Sequence, residues 1–523
     1  MKKKFFAVML LCLGMLGSYH TAFAMEKADV DLYYLGRNTM LDNPIYVEND
    51  VYFVPLRECA EQIGYEVRYV PSVITLKYLY DIGQETKYDI DNHKIFRYDR
   101  EIGECNIKNI NGLSYISIND FYGTSFGRNI YNMEYDGRKI IQIKSSGKPY
   151  QKSDFESNLE LLNVIEKNQN GVISPISMKL SLAMVANGTT GQTQKEILNV
   201  LGYDTIEQCN DFVSNEVLKW KVEERRSDYK YLNENEGGIH FANSLWYNSG
   251  DKKTEKNIFN ENFVNRMYSV FGAISGIVTN DTAVSTINEW IEQQTNGMIK
   301  NMISDANFQT ALVNTIYFKC CWKDEFKNEN TKKGIFYNID NTQSETDFMN
   351  AIRDNQIYYC ESFGWQMLGL TYSDEKYTMY LFLPEKGKSL QIDDKTINAL
   401  MKFQESVKVD ITMPKFSTED MYDFTDTLKK MGIRGMFENN EDFSNMYVDN
   451  NAMHITDVLQ KTKIIVNEQG TEASSGAMMS TRGADMTKPV KFQADRPFLY
   501  MITKDTNGKQ EVLFAGKYVT AKQ

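Results

Sequence analysis

Histidine is scarce in this chain, with four in 523 residues. After the N-terminal segment only His93, His240 and His454 remain, widely separated, so no neighbouring imidazoles suggest a copper or zinc site. Each reads as an ordinary surface or core residue. There is no glycine-rich phosphate loop, nucleophile elbow, metal motif or kinase signature, so nothing in the sequence argues for an enzyme or a cofactor. Positive charge is not in excess: 58 Lys and Arg stand against 70 Asp and Glu, a net charge of -12. That balance speaks against nucleic acid or an anionic membrane as the main partner. Beyond the N-terminus no apolar run is long enough to span a bilayer. Cysteine forms no zinc or redox pattern either. Cys59, Cys105, Cys209, Cys320, Cys321 and Cys360 read as buried apolar residues, and the adjacent Cys320 and Cys321 are poorly placed to bridge each other.

The first residues are built for export. Lys2-Lys3-Lys4 gives a positive start, Phe5 to Leu16 an apolar core and Ala22-Phe23-Ala24 a small-x-small cleavage site. Residues 1–24 are therefore expected to be a signal peptide, and the mature protein to be a secreted monomer.

Two textures follow. Residues 26–148 are rich in Tyr, Ile and Val and contain a weak internal repeat. Val51 to Arg57 leads through a short helix to Ile63-Gly64-Tyr65-Glu66-Val67. Leu113 to Phe121 leads to the strand Lys139 to Ile143. Ser145 to Pro149 reads as a linker. From about residue 151 to 523 helices come first and strands later. Leu159 to Ile165, Leu180 to Val185 and Ile287 to Ile299 have helical patterns. Thr378–Leu383, Val407–Met413, Lys463–Val466, Phe498–Thr503 and Val512–Lys517 read as strands.

One stretch stands out. Lys463 to Val466 is followed by Asn467-Glu468-Gln469-Gly470-Thr471-Glu472-Ala473-Ser474-Ser475-Gly476-Ala477. With period two, Thr471, Ala473, Ser475, Ala477 and Met479 share one face. A plain surface loop has no reason to keep one face small. A loop that later slides into a sheet does, because bulky inward side chains would overpack the core at ~1–3 kcal/mol each.

This run resembles the hinge of a serpin, a family of protease inhibitors that insert a cleaved loop into a sheet. Four more blocks resemble serpin segments in the same order. They are Ser174-Pro175-Ile176-Ser177 with Asn187 to Thr193, and Asn314 to Trp322. Then come Met413-Pro414-Lys415-Phe416 with Leu428 to Phe437, and Phe492 to Phe498 with Leu513 to Lys517. The residues before them resemble the stalk domain first named in copper amine oxidases, carried by many exported bacterial proteins. The expected fold class is thus α+β and multidomain. A small α+β stalk precedes a serpin fold of three β-sheets, eight or nine helices and a mobile reactive loop.

The resemblance implies roles. Glu468, Gly470, Thr471, Glu472, Ala473 and Ser475 would form the hinge. Ser174, Ser177, Asn314 and Gln460 would form a shutter beneath the sheet, and Trp322 would mark the breach where the loop enters. Ser174 before Pro175 is equally a helix N-cap candidate. Gln460 stands where the family has a histidine, and Cys320 where a glycine is usual. The family register puts the reactive bond between Ala484 and Asp485, with Arg482 as the alternative. Ala484 suits an elastase-like or subtilisin-like serine protease as partner. The rival reading is a non-inhibitory serpin acting as an extracellular binding module. The stalk is a candidate for cell-wall contact.

Overall fold

The computed structural model describes residues 25–521, apart from positions 35, 64, 98, 136, 296 and 374 and segments 79–84, 145–158, 214–237, 252–257, 354–356, 439–441, 449–452, 472–488 and 507–508. The chain divides into two compact units, one ending at Pro149 and one beginning at Tyr150.

In the first unit each copy of the repeat begins as a strand that runs into a short helical segment. Strand Val51–Pro55 runs into helix Leu56–Gln62 and then strand Tyr65–Val70. Strand Leu113–Ser117 runs into the helical turn Asn119–Thr124, and the paired strands Asn129–Tyr135 and Arg138–Lys144 follow. Leu56, Cys59, Ile116, Phe121 and Tyr122 interlock the two copies in one apolar core.

The second unit contains three sheets and, among the described residues, seven α-helices. The main sheet determines the functional geometry, and its strands are numbered here in chain order. They are β1 (Gly238–Asn248), β2 (Ile274–Val278), β3 (Thr310–Cys321), β4 (Phe416–Asp423), β5 (Asp457–Val466) and β6 (Gly470–Thr471). Their spatial order is β2-β1-β3-β6-β5-β4, and β3 also pairs directly with β5. That pairing is parallel, from Ala311 opposite Asp457 to Tyr317 opposite Lys463. A second sheet includes the antiparallel strands Trp365–Thr371, Tyr377–Pro384, Phe498–Thr506 and Lys509–Tyr518. A third holds Lys332–Tyr337, Gln343–Arg353, Val409–Pro414 and Val490–Gln493.

Helix α1 (Pro175–Gly188) packs against β3 and against strand Lys509–Tyr518, so it lies between two sheets. Its composition fits that place: every residue except Lys179 is buried, as expected of a helix that is apolar all round. Helix α2 (Ala283–Gln294) packs with Trp246, Ala311 and Val313. These alternate along their strands with Asn314, which meets α1, and Asn243, which bonds Asn314, so the two helices cover opposite faces of the main sheet.

Several expected boundaries move. The helix expected over Ile287 to Ile299 spans Ala283–Gln294 instead. The Thr295 hydroxyl bonds back to the Ile291 carbonyl at 2.8 Å and receives the Ile299 N–H at 3.1 Å, and Gly297 takes a positive φ, which ends the helix. Leu159–Val164 is a 3₁₀ helix. β5 begins six residues before the expected Lys463, at Asp457. Among the described residues the six cysteines form no disulfide. Burial pushes the Cys59 thiol up to about 12.

Candidate functional site

Two clusters lie along the seam between β3 and β5. The first is beneath its middle, where Asn314 and Gln460 are register partners. The N-terminus of α1 points at them. Ser174 caps that helix: its Oγ accepts from the Ser177 N–H at 3.3 Å, with Pro175 in the first turn. The same hydroxyl donates to the Leu513 carbonyl at 2.6 Å. The cap and shutter readings of Ser174 are therefore compatible in one side chain. Gln460 grips the Ser174 backbone at two points. Its Oε1 accepts from the Ser174 N–H at 2.8 Å and its Nε2 donates to the Ser174 carbonyl at 3.0 Å. A side-chain amide here matches a peptide group, and it keeps both bonds at any pH near neutrality.

Asn314 is held separately. Its Oδ1 accepts from the Ser177 hydroxyl, and its Nδ2 donates to the Ser177 carbonyl at 3.3 Å and to Oδ1 of Asn243. All five side chains are at most 2 % exposed. Among the described residues no side-chain hydrogen bond joins Asn314 to Gln460. Each strand is instead tied to α1 by its own bonds. Parting β3 from β5 at this level would break ladder bonds but no side-chain bond between them. Asn243 was not singled out from the sequence. The available signal was Asn243-Ser244, a polar pair inside the apolar run Ile239 to Trp246.

The second cluster is at the end of the seam. Past Tyr317 and Lys463 the strands diverge, and β6 fills the gap. Thr471 lies opposite both Cys320 of β3 and Val466 of β5. The backbone approach is close at Gly470, where a Cβ would come within 2.7 Å of the Cys321 Cα, so only glycine fits. Asn467 shapes the turn before it: Oδ1 accepts from the N–H groups of Gln469 at 3.0 Å and Gly470 at 3.2 Å. Thr471 is fully buried, with its hydroxyl 2.7 Å from that of Tyr372. The Tyr372 ring stacks on Trp322 at 4.6 Å. Trp322 in turn donates from Nε1 to the Asn467 carbonyl at 2.9 Å, and its backbone N–H donates to Gln469 at 2.8 Å.

Glu468 anchors the base of the turn. Its carboxylate accepts from the Thr331 hydroxyl at 2.7 Å and pairs with the Lys415 ammonium at 3.0 Å. Burial would raise its carboxyl. The Thr331 and Lys415 contacts outweigh that and hold it below the usual carboxylate range. Cys320 is buried, its Sγ 3.7 Å from the Ser373 hydroxyl.

Glu468, Gly470, Thr471 and Trp322 thus meet at one end of the seam, and Ser174, Ser177, Asn314 and Gln460 beneath its middle. Glu472, Ala473 and Ser475, together with Arg482, Ala484 and Asp485, lie outside the described residues.

The family model for Serpin (serine protease inhibitor) matches residues 156–521. This chain belongs to the serpin family. Serpin B10 of Rhinolophus ferrumequinum is 29% identical over 374 residues, covering 67% of this chain and 94% of that relative. Human neuroserpin is 28% identical over 404 residues, covering 72% of this chain and 93% of its own length. The crystal structure of Serpin48 from the insect Tenebrio molitor superposes with a TM-score of 0.56 at 26% identity, covering 69% of this chain and 94% of that one. The serpin match spans both clusters of the seam and leaves the residues before 156 outside it. Among the described residues no group of His, Cys, Asp or Glu could hold a metal ion, and no helix is long and apolar enough to cross a membrane.

Proposed function

We propose that this serpin is an exported, single-use inhibitor of serine-type proteases. The observation that carries the reading is the position of Gly470 and Thr471, already seated as a short strand between β3 and β5 in the uncut chain. The start of the loop is thereby aligned with the seam it would open. The protease hydroxyl attacks the carbonyl of Ala484, or of Arg482 in the alternative register. An acyl-enzyme forms and the amine of the next residue departs with a proton. The freed loop then extends β6 along the seam, a β-augmentation within one chain. Ladder bonds and buried apolar contacts form that the uncut state lacks, so the uncut state is held by a kinetic barrier. The attached protease is carried along and distorted before water can release it. Ala484 favours elastase-like or subtilisin-like targets through their small apolar pockets.

The shutter role of Ser174, Ser177, Asn314 and Gln460 belongs to this proposal. It is supported by their separate anchoring of the two strands. Residues 1–24 act as a signal peptide, and the protein works outside the cell. The first unit serves as the stalk and wall-facing spacer, supported by the strand–helix–strand run from Val51 to Val70.

The test is incubation of the full mature chain with a panel of serine proteases. The expected outcome is an SDS-resistant covalent complex with an elastase-like or subtilisin-like enzyme, cut after Ala484. Clean cleavage by every enzyme, with no complex, would favour the non-inhibitory binding module.

A further inference from the structure

The far end of the same seam carries a charge arrangement that the proposed mechanism has not used. There Ala311 of β3 faces Asp457, the first residue of β5. Thr456 holds this end shut. Its N–H donates to the Thr310 carbonyl at 2.9 Å, and its Oγ1 accepts from the N–H groups of Gln309 at 3.1 Å and Thr310 at 3.4 Å.

Beside this clasp, Asp457 is half-buried, and among the described residues its carboxylate has no hydrogen bond or ion pair. Two other carboxylates act on it. Asp423 ends β4, and its Oδ1 accepts from the N–H and hydroxyl of Thr425 at 2.9 and 2.6 Å. Asp305 precedes β3, and its Oδ1 accepts from the Asn307 N–H at 2.9 Å. Burial first, then Asp423 and Asp305, raise the Asp457 carboxyl to about 6. Lys461, four residues on, is committed to Glu419 at 3.3 Å and to the Lys300 carbonyl at 2.6 Å. Asp426 adds a further negative charge in the helix after Asp423. His454 is the other titratable group of this end, with Nδ1 buried and unpartnered among the described residues.

We infer that Asp457 is a pH-sensitive latch on loop insertion, opening more readily when ionised and staying shut when protonated, so that mildly acidic surroundings turn this inhibitor toward a substrate. The inference rests on the loop-insertion reading above. Asp423 neighbours Asp457 on the β4–β5 side, whereas Asp305 belongs to the β3 side. Asp457 is half-buried at the closed seam, and parting β3 from β5 admits water to it, which returns its carboxyl toward the ordinary value near 4. The closed seam therefore binds the proton more tightly than the open one. By linkage, closure gains as pH falls through about 6 and opening gains as it rises. The position matters for trapping. Continuing the register of Thr471 opposite Cys320 down the seam brings Ser480 opposite Ala311. The last part of insertion, just before Ala484, must pass Asp457. Slowing there gives water time to hydrolyse the acyl bond.

The experiment avoids the protease, which has its own pH dependence. A synthetic peptide copying the sequence from Glu472 to Ala484 is added to the intact full chain, and its annealing is followed by native gel and thermal stability between about pH 5 and pH 7.5. Annealing is expected to slow at least about threefold toward the acid end, with a midpoint near 6. Asp457→Asn should anneal slowly and without pH dependence. Asp305→Asn should move the midpoint down, and His454→Gln should keep the parent profile. A pH-independent parent, an unchanged profile in Asp457→Asn, or a profile lost in His454→Gln would each overturn the latch while leaving loop insertion standing. Failure to anneal at every pH would overturn loop insertion, and the latch with it.

Discussion

The hydroxyl of Tyr372 lies 2.7 Å from that of Thr471, and both side chains are fully buried. One hydrogen bond thus ties the hinge to the ring that stacks on Trp322. Tyr372→Phe keeps the stack and leaves the Thr471 hydroxyl buried and unpaired, at a cost of about 1–3 kcal/mol. Hydrogen exchange at the Gly470 and Thr471 amides should accelerate in the variant, with a melting point a few degrees lower. Unchanged exchange would mean that the bond does not hold the hinge.

Thr471→Arg tests the hinge itself. A guanidinium cannot occupy this site without a partner, and an unpaired buried charge costs several kcal/mol. The variant should be cleaved at the parent rate yet fail to form covalent complex. Trapping at the parent rate would show that Thr471 does not need to be inside the sheet.

Gln460→Ala removes the Ser174 N–H partner and opens a cavity under β5. Together these should cost about 2–4 kcal/mol. Chemical denaturation should show a lower midpoint with the same slope. A loss under about 0.5 kcal/mol would mean that the Ser174 grip contributes little to stability.

Glu468 sets an acid limit. Its carboxyl is held below the ordinary value, so its stabilisation is complete above about pH 5 and fades as pH falls through the lowered value. Glu468→Gln should be less stable than the parent near neutrality, and the gap should close toward pH 3. A gap that stays constant across that range would remove the Lys415 ion pair from the account.

The sequence revealed order more readily than partnership. The block Asn314 to Trp322 was legible as a strand because local side-chain pattern carries it. Helix α1 was legible as a buried helix because it is apolar on every side. β5 was legible only from Lys463 on, for a physical reason. Its inward face holds Gln460 and Thr462, its outward face Leu459 and Ile465, so the usual polar alternation is blurred. Tyr372, Asn243, Thr331 and Lys415 were not singled out as members of either cluster. Each is ordinary in its own segment and becomes meaningful through a contact 99 to 137 residues away or, for Lys415, across the turn at Glu468, and for Asn243 across the β1–β3 ladder. The latch at Asp457 was hidden for the same reason, since its two neighbouring carboxylates come from separate elements.

The central claim is that the uncut fold is strained relative to the inserted one, and cleavage tests it most directly. The full mature chain is nicked between Thr471 and Asp485 by a protease that it does not trap, and thermal unfolding of the serpin unit is compared before and after. Insertion adds a strand's worth of ladder bonds and apolar burial, so the cut protein should melt well above the intact one. A transition that is unchanged or lower after the cut would contradict the account.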